Sequence, residues 1–294
     1  MGREPHGQHM DHVSPALLIA AHGSRAPGWA EAVREFAEHV EQSPGVSTMF
    51  SAVEATFLEA VPPPIPQAVS RHLAAGAPKV LVAPLFLTAS GHLSQDLPAL
   101  LGLSSDERVL QRLRGEGQLP LSPGLPVEML ELGPLEDLLA NNVARRLALH
   151  TTRPSEEAIV LCAYGSSIYT ERWEVLLTKV RTRLMKAGFA YATHAYVGHV
   201  VGMSVEPTRQ AVTKCGRMAG VRSVHVVPLL LGPSRLQEEV IGEACRMARD
   251  DEPTLTVRYR GDAILPDGDL AAHVSRVALR QIGVFPTVDR GAKA

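Results

Sequence analysis

Apolar positions along the chain fall into short blocks separated by longer amphipathic stretches. Ala16-Leu17-Leu18-Ile19-Ala20-Ala21 is an unbroken apolar run bounded by Gly23, the pattern of a buried strand. Pro27 and the amphipathic stretch 29–41 predict a helix with proline near its start. Residues 50–58 (FSAVEATFL) predict a second strand. Pro62-Pro63-Pro64 then breaks the chain, and a helix follows to about Ala75, ended by Gly76. Lys79 to Leu87 (KVLVAPLFL) predicts a third strand, with helical patterns at about 93–101 and 135–150. Strands alternating with helices specify an α/β fold with a mostly parallel sheet covered on both faces. In such sheets the ligand crevice opens beyond the carboxyl ends of the strands.

Residues 104–125 (SSDERVLQRLRGEGQLPLSPGL) are polar and rich in Gly and Pro, and read as an excursion within the first domain. The better boundary is Thr151-Thr152-Arg153-Pro154. The expected organisation is a flexible tail at 1–14, a first domain at 15–150, a second at 155–284 and a tail at 285–294. The second half repeats the first. Ala158 to Ser166 echoes Leu17 to Ser24, Val226 to Leu231 echoes Val82 to Leu87, and Leu236-Gln237-Glu238-Glu239 echoes Leu93-Ser94-Gln95-Asp96. The offsets stay at about 142 to 144 residues, which points to a duplication.

Composition removes several classes of function. The 294 residues suffice for two domains, and 45% hydrophobic against 20% charged residues supports real cores. A net charge of −2 and only 4% aromatics argue against nucleic-acid and polybasic membrane binding. Cys162, Cys215 and Cys245 form no CxxC pair, so a cysteine zinc site or an iron–sulfur cluster is not expected, and free thiols fit a reducing compartment. No apolar run has the length of a membrane span, and MGREPHGQHMDH lacks the apolar core of a signal peptide. A cytoplasmic protein that binds neither membrane nor nucleic acid is therefore expected. His6, His9 and His12 in the tail are either a weak metal trap or an inert segment, and the inert reading is preferred.

Two histidines stand out by position. His22 ends the first strand ahead of Gly23-Ser24, and His92 follows Leu87-Thr88-Ala89-Ser90-Gly91 just past the third. Both therefore belong to the same rim, where two imidazoles can share Fe, Co, Ni or Zn and one can accept a proton. Singly, each is equally a core or helix-start histidine. Glu59, at the end of the second strand, is a third ligand, a proton acceptor or an exposed helix-start carboxylate. Arg25 binds a substrate carboxylate or sits on the surface, and Asp96 orients a histidine or favours a helix N-terminus. His194 and His199 lack a partner at Tyr164 and are read as structural.

The segments Ala20-Ala21-His22-Gly23-Ser24-Arg25, Phe57-Leu58-Glu59 with Ile65-Pro66, Val82 to His92, and Asp96-Leu97-Pro98 together resemble the class II tetrapyrrole chelatases, in particular the sirohydrochlorin chelatases of the CbiX and SirB type. The resemblance covers about residues 16–101 closely and the remainder loosely. It implies two duplicated flavodoxin-like domains with the active cleft between them. It also implies insertion of a divalent metal (Co²⁺ or Fe²⁺, with Ni²⁺ a further candidate) into sirohydrochlorin or a close relative, in sirohaem or cobalamin biosynthesis. The metal is then a substrate, and no tightly bound cofactor is expected. On this resemblance His22, His92 and Glu59 are the catalytic and metal-binding residues. Leu87, Thr88, Ala89, Ser90 and Gly91 line the tetrapyrrole, with Arg25 and Arg235 meeting carboxylates. Three departures stand against it: Pro62 replaces an acidic or amide residue, Tyr164 and Gly198 replace the counterparts of His22 and Glu59, and Arg235 falls near the counterpart of His92. The second half is accordingly expected to wall the cleft without metal chemistry, in a monomeric protein. A non-catalytic tetrapyrrole or metal carrier on the same fold is the alternative. A phosphohistidine-type phosphatase ranks low, because Ala21 stands where that group has arginine.

Overall fold

The computed structural model describes residues 14–148 and 150–284. The tail histidines His6, His9 and His12 and the expected C-terminal tail at 285–294 lie outside the described residues. The first half carries β1 (Ala16–Ala21), α1 (Trp29–Glu41), α2 (Val46–Met49), β2 (Ala52–Phe57), α3 (Ile65–Ala74) and β3 (Val80–Pro84). A π-helical turn at His92–Asp96 runs into α4 (Leu97–Leu100), followed by α5 (Glu107–Gly115), β4 (Val127–Met129) and α6 (Glu136–Ala148). The second half carries β5 (Glu157–Ala163), α7 (Thr170–Lys186), β6 (Tyr191–Tyr196), α8 (Glu206–Gly216) and β7 (Ser223–Leu229). A second π-helical turn, Gln237–Gly242, leads into α9 (Glu243–Asp251), then β8 (Thr256–Tyr259) and α10 (Gly268–Gln281).

Two four-stranded parallel sheets result, ordered β2-β1-β3-β4 and β6-β5-β7-β8. The identical order agrees with a duplication of one flavodoxin-like unit, as the repeated motifs imply. Each central strand is buried on both faces, which explains its unbroken apolar run. Side chains alternate across the sheet. Leu17, Ile19 and Ala21 point into a central apolar layer shared with Ile159, Leu161 and Ala163 of the other sheet. Ala16, Leu18 and Ala20 point outward under α3, α4 and α5.

The central layer is closed by an exchange of helices. The last helix of the first half, α6, packs on α7 of the second half. The last helix of the second half, α10, packs on α1 and β3 of the first. Polar contacts follow the same crossing. Buried Asn142 donates to Ile264 O at 3.1 Å and to Asp267 Oδ2 at 2.8 Å. Asp267 also accepts from Leu270 N, capping α10, and pairs with Arg145. Ser275 of α10 hydrogen-bonds Val40 O, and His273 donates to Leu132 O.

The segment 104–125 differs from a plain excursion, because it contains α5. Asp106 caps that helix by accepting from Arg108 N and Val109 N, and Val109 and Leu113 bury its one apolar edge. The segment is tied back to the site. Gln118 Nε2 donates to Leu58 O at 2.7 Å, and a Cβ on Gly102 would lie 2.8 Å from Ser122 O. Among the described residues, no helix is long and apolar enough to cross a membrane. The three cysteines are free and buried, and burial raises the thiol of Cys215 to about 12.

Asn142→Ala leaves Ile264 O without its side-chain donor in a dry setting and takes one of two donors from Asp267 Oδ2. It is expected to lower stability by about 1–3 kcal/mol, read from the urea midpoint. An unchanged midpoint would mean that the crossing is held by apolar packing alone.

Candidate active site

The carboxyl ends of β1, β2, β3, β5 and β7 open into one cleft of about 840 Å³ lined by both halves. From the first half come His22 to Arg25, Glu59, Phe86 to Ser90 and His92, and from the second come Tyr164 to Ser166, Leu229 to Leu231, Ser234 and Leu236. The protein's two tryptophans, Trp29 and Trp173, stand in equivalent places at the starts of α1 and α7 and contribute to the same cleft. Gly232 lets the halves touch here, since a Cβ on it would lie 2.8 Å from Trp29 Cδ1.

His22 and Glu59 are brought together by backbone geometry. Past β1 and β2 the ladder continues through Leu58 N to Ala21 O and Glu59 N to His22 O, both 3.0 Å. Gly23 then turns with φ +102°, and a Cβ there would sit 1.9 Å from Glu59 O. Only glycine allows the strand ends to come this close. The Glu59 carboxylate thereby lies 3.5 Å from His22 Nε2.

His92 is placed by the π-helical turn, with its ring centroid 4.5 Å from that of His22 and the planes at 62°. Such turns recur at functional sites because they re-aim side chains within a helix. Each imidazole is held through Nδ1. His22 Nδ1 lies 2.7 Å from Gly23 O, and His92 Nδ1 lies 2.7 Å from Asp96 Oδ2. A carbonyl or ionised carboxylate only accepts, so both Nδ1 atoms carry the proton. In the neutral rings both Nε2 atoms then keep a bare lone pair. Burial, and next the charge of His92, hold the His22 imidazole below its ordinary range.

Asp96 is buried, and its second oxygen pairs with Arg112 of α5. Burial alone would raise this carboxyl. Hydrogen bonds from His92 and Arg112 outweigh it and keep Asp96 below the usual carboxylate range. Asp96 thus orients a histidine, and the arginine behind it belongs to the 104–125 segment. Arg112 went unremarked in the sequence, where its only signal was the Asp106 cap with Val109 and Leu113 four residues apart. The two tryptophans were missed as well, although their 144-residue spacing matches the other repeats.

Leu87, Thr88, Ala89 and Ser90 line the cleft beside the histidines, and exposed Arg25 joins them with no carboxylate within ion-pair distance among the described residues. Gly91 and exposed Arg235 are not among the lining residues, although Ser234 and Leu236 on either side of Arg235 are. Glu59 stands beside His22 only. Among the described residues no group of three or more His, Cys, Asp or Glu converges to hold a metal ion, so the geometry offers a two-imidazole pair flanked by a carboxylate. In the second half Val197 N meets Ala163 O, and Gly198 N meets Tyr164 O at 3.0 Å, which puts Tyr164 and Gly198 at the places of His22 and Glu59. Burial raises the Tyr164 phenol, so it stays neutral, and its ring meets His199 edge-on at 5.9 Å. His194 bonds to Glu174 on the flank of β6.

Similarity to known proteins agrees with this geometry. The CbiX family pattern matches residues 16–131. The sirohydrochlorin cobaltochelatase of Saccharolobus solfataricus is 34% identical over 109 residues, 37% of this chain and 80% of that protein. Among solved structures, the sirohydrochlorin chelatase SirB from Bacillus subtilis subspecies spizizenii, in complex with cobalt, is 18% identical with a TM-score of 0.58, over 92% of this chain and 94% of that one. A multi-domain protein from Deinococcus radiodurans with structural similarity to chelatases is 19% identical with a TM-score of 0.64, over 91% of this chain and 55% of that one. These two structures establish the shared fold. A pair of parallel α/β units with imidazoles at the mouth of their common cleft is thus a class II metal chelatase. More narrowly, the chain belongs to the CbiX family.

Gly23→Ala forces a Cβ into the Glu59 backbone at a positive φ. It is expected to cost at least about 2 kcal/mol in urea unfolding. Wild-type stability in that variant would remove the close approach as the determinant of the site.

Proposed function

We propose that this protein inserts a divalent metal ion, Co²⁺ or Fe²⁺ with Ni²⁺ as a further candidate, into sirohydrochlorin. The product would serve sirohaem or cobalamin synthesis according to the metal. The observation that carries this reading is the pair of bare Nε2 atoms of His22 and His92, tethered from behind and facing an apolar-walled cleft shared by the two halves. The relatives named for this substrate support it.

Metal entry into the free macrocycle releases two protons from pyrrole nitrogens, so the site must present the metal and accept protons. Imidazole suits both tasks. In this reading His22 and His92 hold the incoming ion over the ring face through Nε2. As the ion passes to the ring, the two freed imidazoles take the two pyrrole protons, one each. Glu59, 3.5 Å from His22 Nε2 and exposed, passes the His22 proton to solvent. Asp96, kept ionised by Arg112, supports a positive charge arising on His92. Leu229 to Leu231, Trp29 and Trp173 cover the macrocycle, and Arg25 meets a peripheral carboxylate. The metal enters as a substrate, and no resident cofactor is invoked.

The direct test is anaerobic absorbance of sirohydrochlorin with Co²⁺ or Fe²⁺. His22→Ala and His92→Ala are each expected to lose about 100-fold or more of the catalysed rate. Pigment binding, followed by quenching of Trp29 and Trp173 emission, should persist. Tight quenching by wild type with insertion no faster than the enzyme-free blank would instead identify a carrier.

The lowered His22 pKa keeps this ring neutral, and so able to bind metal, at pH values where an ordinary histidine is half protonated. Its capacity is lost as pH falls through the depressed value. NMR titration of the metal-free protein is expected to give His22 a midpoint below 6.5 that moves upward in His92→Ala, where the neighbouring charge is gone. A midpoint indifferent to His92 would show that the rings do not interact.

A further inference from the structure

A second cavity, of about 490 Å³, shares no lining residue with the cleft. It lies where the C-terminal end of the exchanged helix α6 meets β7, β8 and α9, and its walls include Arg146, His150, Arg249, Arg258, Arg260 and Asp262. Four arginines thus face one aspartate, in a chain whose formal charge is −2. That aspartate is already neutralised. Arg146 bonds both Asp262 carboxylate oxygens and also the carbonyls of Pro228 and Asp262. The other three guanidiniums have only that shared aspartate, which also feels the charge of Arg260, and one glutamate at the edge of reach to offset them. Arg249 donates to Val257 O at 2.9 Å, Arg258 to His150 O, and Arg260 to His150 Nε2. Among the described residues no carboxylate is within ion-pair distance of Arg249 or Arg260. The nearest to Arg258 is Glu157, at 4.0 Å, and Glu157 already accepts from Thr152, Arg153 and His225.

Each guanidinium presents five N–H donors in a planar fork that matches phosphate or carboxylate oxygens in pairs. Three of them around a concave site, satisfied only by backbone carbonyls and one imidazole, repel one another until an anion joins them. We infer that this cavity is a binding site for a small, multiply charged oxyanion, a polyphosphate or a polycarboxylate, separate from the metal-insertion cleft. His150 contributes whichever way it is protonated. As a neutral ring its Nε2 accepts from Arg260, and as an imidazolium it donates to an anion alongside.

The test is calorimetric titration of the full chain with pyrophosphate and with citrate at about 0.1 M salt, where surface attraction is largely screened. One anion is expected to bind per chain with Kd below about 1 mM. Arg260→Glu, which alters an exposed residue whose recorded partner is His150, is expected to weaken binding tenfold or more while the urea midpoint stays put. Arg258→Gln combined with Arg260→Gln should abolish binding, and His22→Ala should bind like wild type. Preference for pyrophosphate assigns the phosphate class, and preference for citrate the polycarboxylate class. The inference fails if neither anion binds, if Arg260→Glu binds as tightly as wild type, or if His22→Ala removes the binding, which would place the anion in the cleft.

Discussion

The site is set by a backbone approach that leaves no room for a side chain. At Gly23 the turn after β1 runs so near the Glu59 carbonyl that a single added carbon would overlap it. That contact sets how far His22 and Glu59 project and holds the ends of β1 and β2 at one level. It also fixes where the loop after β3 must deliver His92 for the two rings to touch. In the second half the close approach is made from the other strand end: a Cβ on Gly198 would meet Tyr164 O at 2.4 Å, while one on Gly165 would meet the Tyr196 ring at 2.6 Å. The two halves therefore differ in where glycine is required as well as in chemistry. One carries imidazole and carboxylate at the strand ends, and the other carries phenol and hydrogen.

Around that contact, the electrostatics of the two histidines are complementary. Both are tethered at Nδ1, but by unlike partners. The Gly23 carbonyl behind His22 favours the charged ring, but burial and the neighbouring charge of His92 outweigh it and favour the neutral form. An ionised carboxylate behind His92 supports a positive ring. The two rings thus differ in what stands beside them, Gly23 O and Glu59 for His22 and the Asp96 carboxylate for His92. Arg112 completes the second arrangement, since without it a buried Asp96 would share its charge with the imidazole alone.

Much of this was legible in the chain. The runs at 16–21 and 79–87 announced buried strands because parallel strands covered on both faces need no polar alternation. His22, Glu59 and His92 could be assigned to one rim because each follows a strand in a fold whose strands run in parallel. The Arg112 support was not legible. Only Val109 and Leu113 of α5 are buried, and Gly and Pro cluster after that helix, so its periodicity is thin. The helix exchange left no local mark, because α6 and α10 are ordinary amphipathic helices whose apolar faces would suit either sheet.

That exchange bears on the order in which the protein can be completed as it is made. The ribosome releases α6 before any strand of the sheet that α6 will cover, and releases α10 last of all the described elements. The half that carries the two cleft histidines is synthesised first, yet the face of α1 that receives α10 stays open until the second half has emerged. The half with Tyr164 and Gly198 at its strand ends is thereby the one that finishes the half with His22 and Glu59 there.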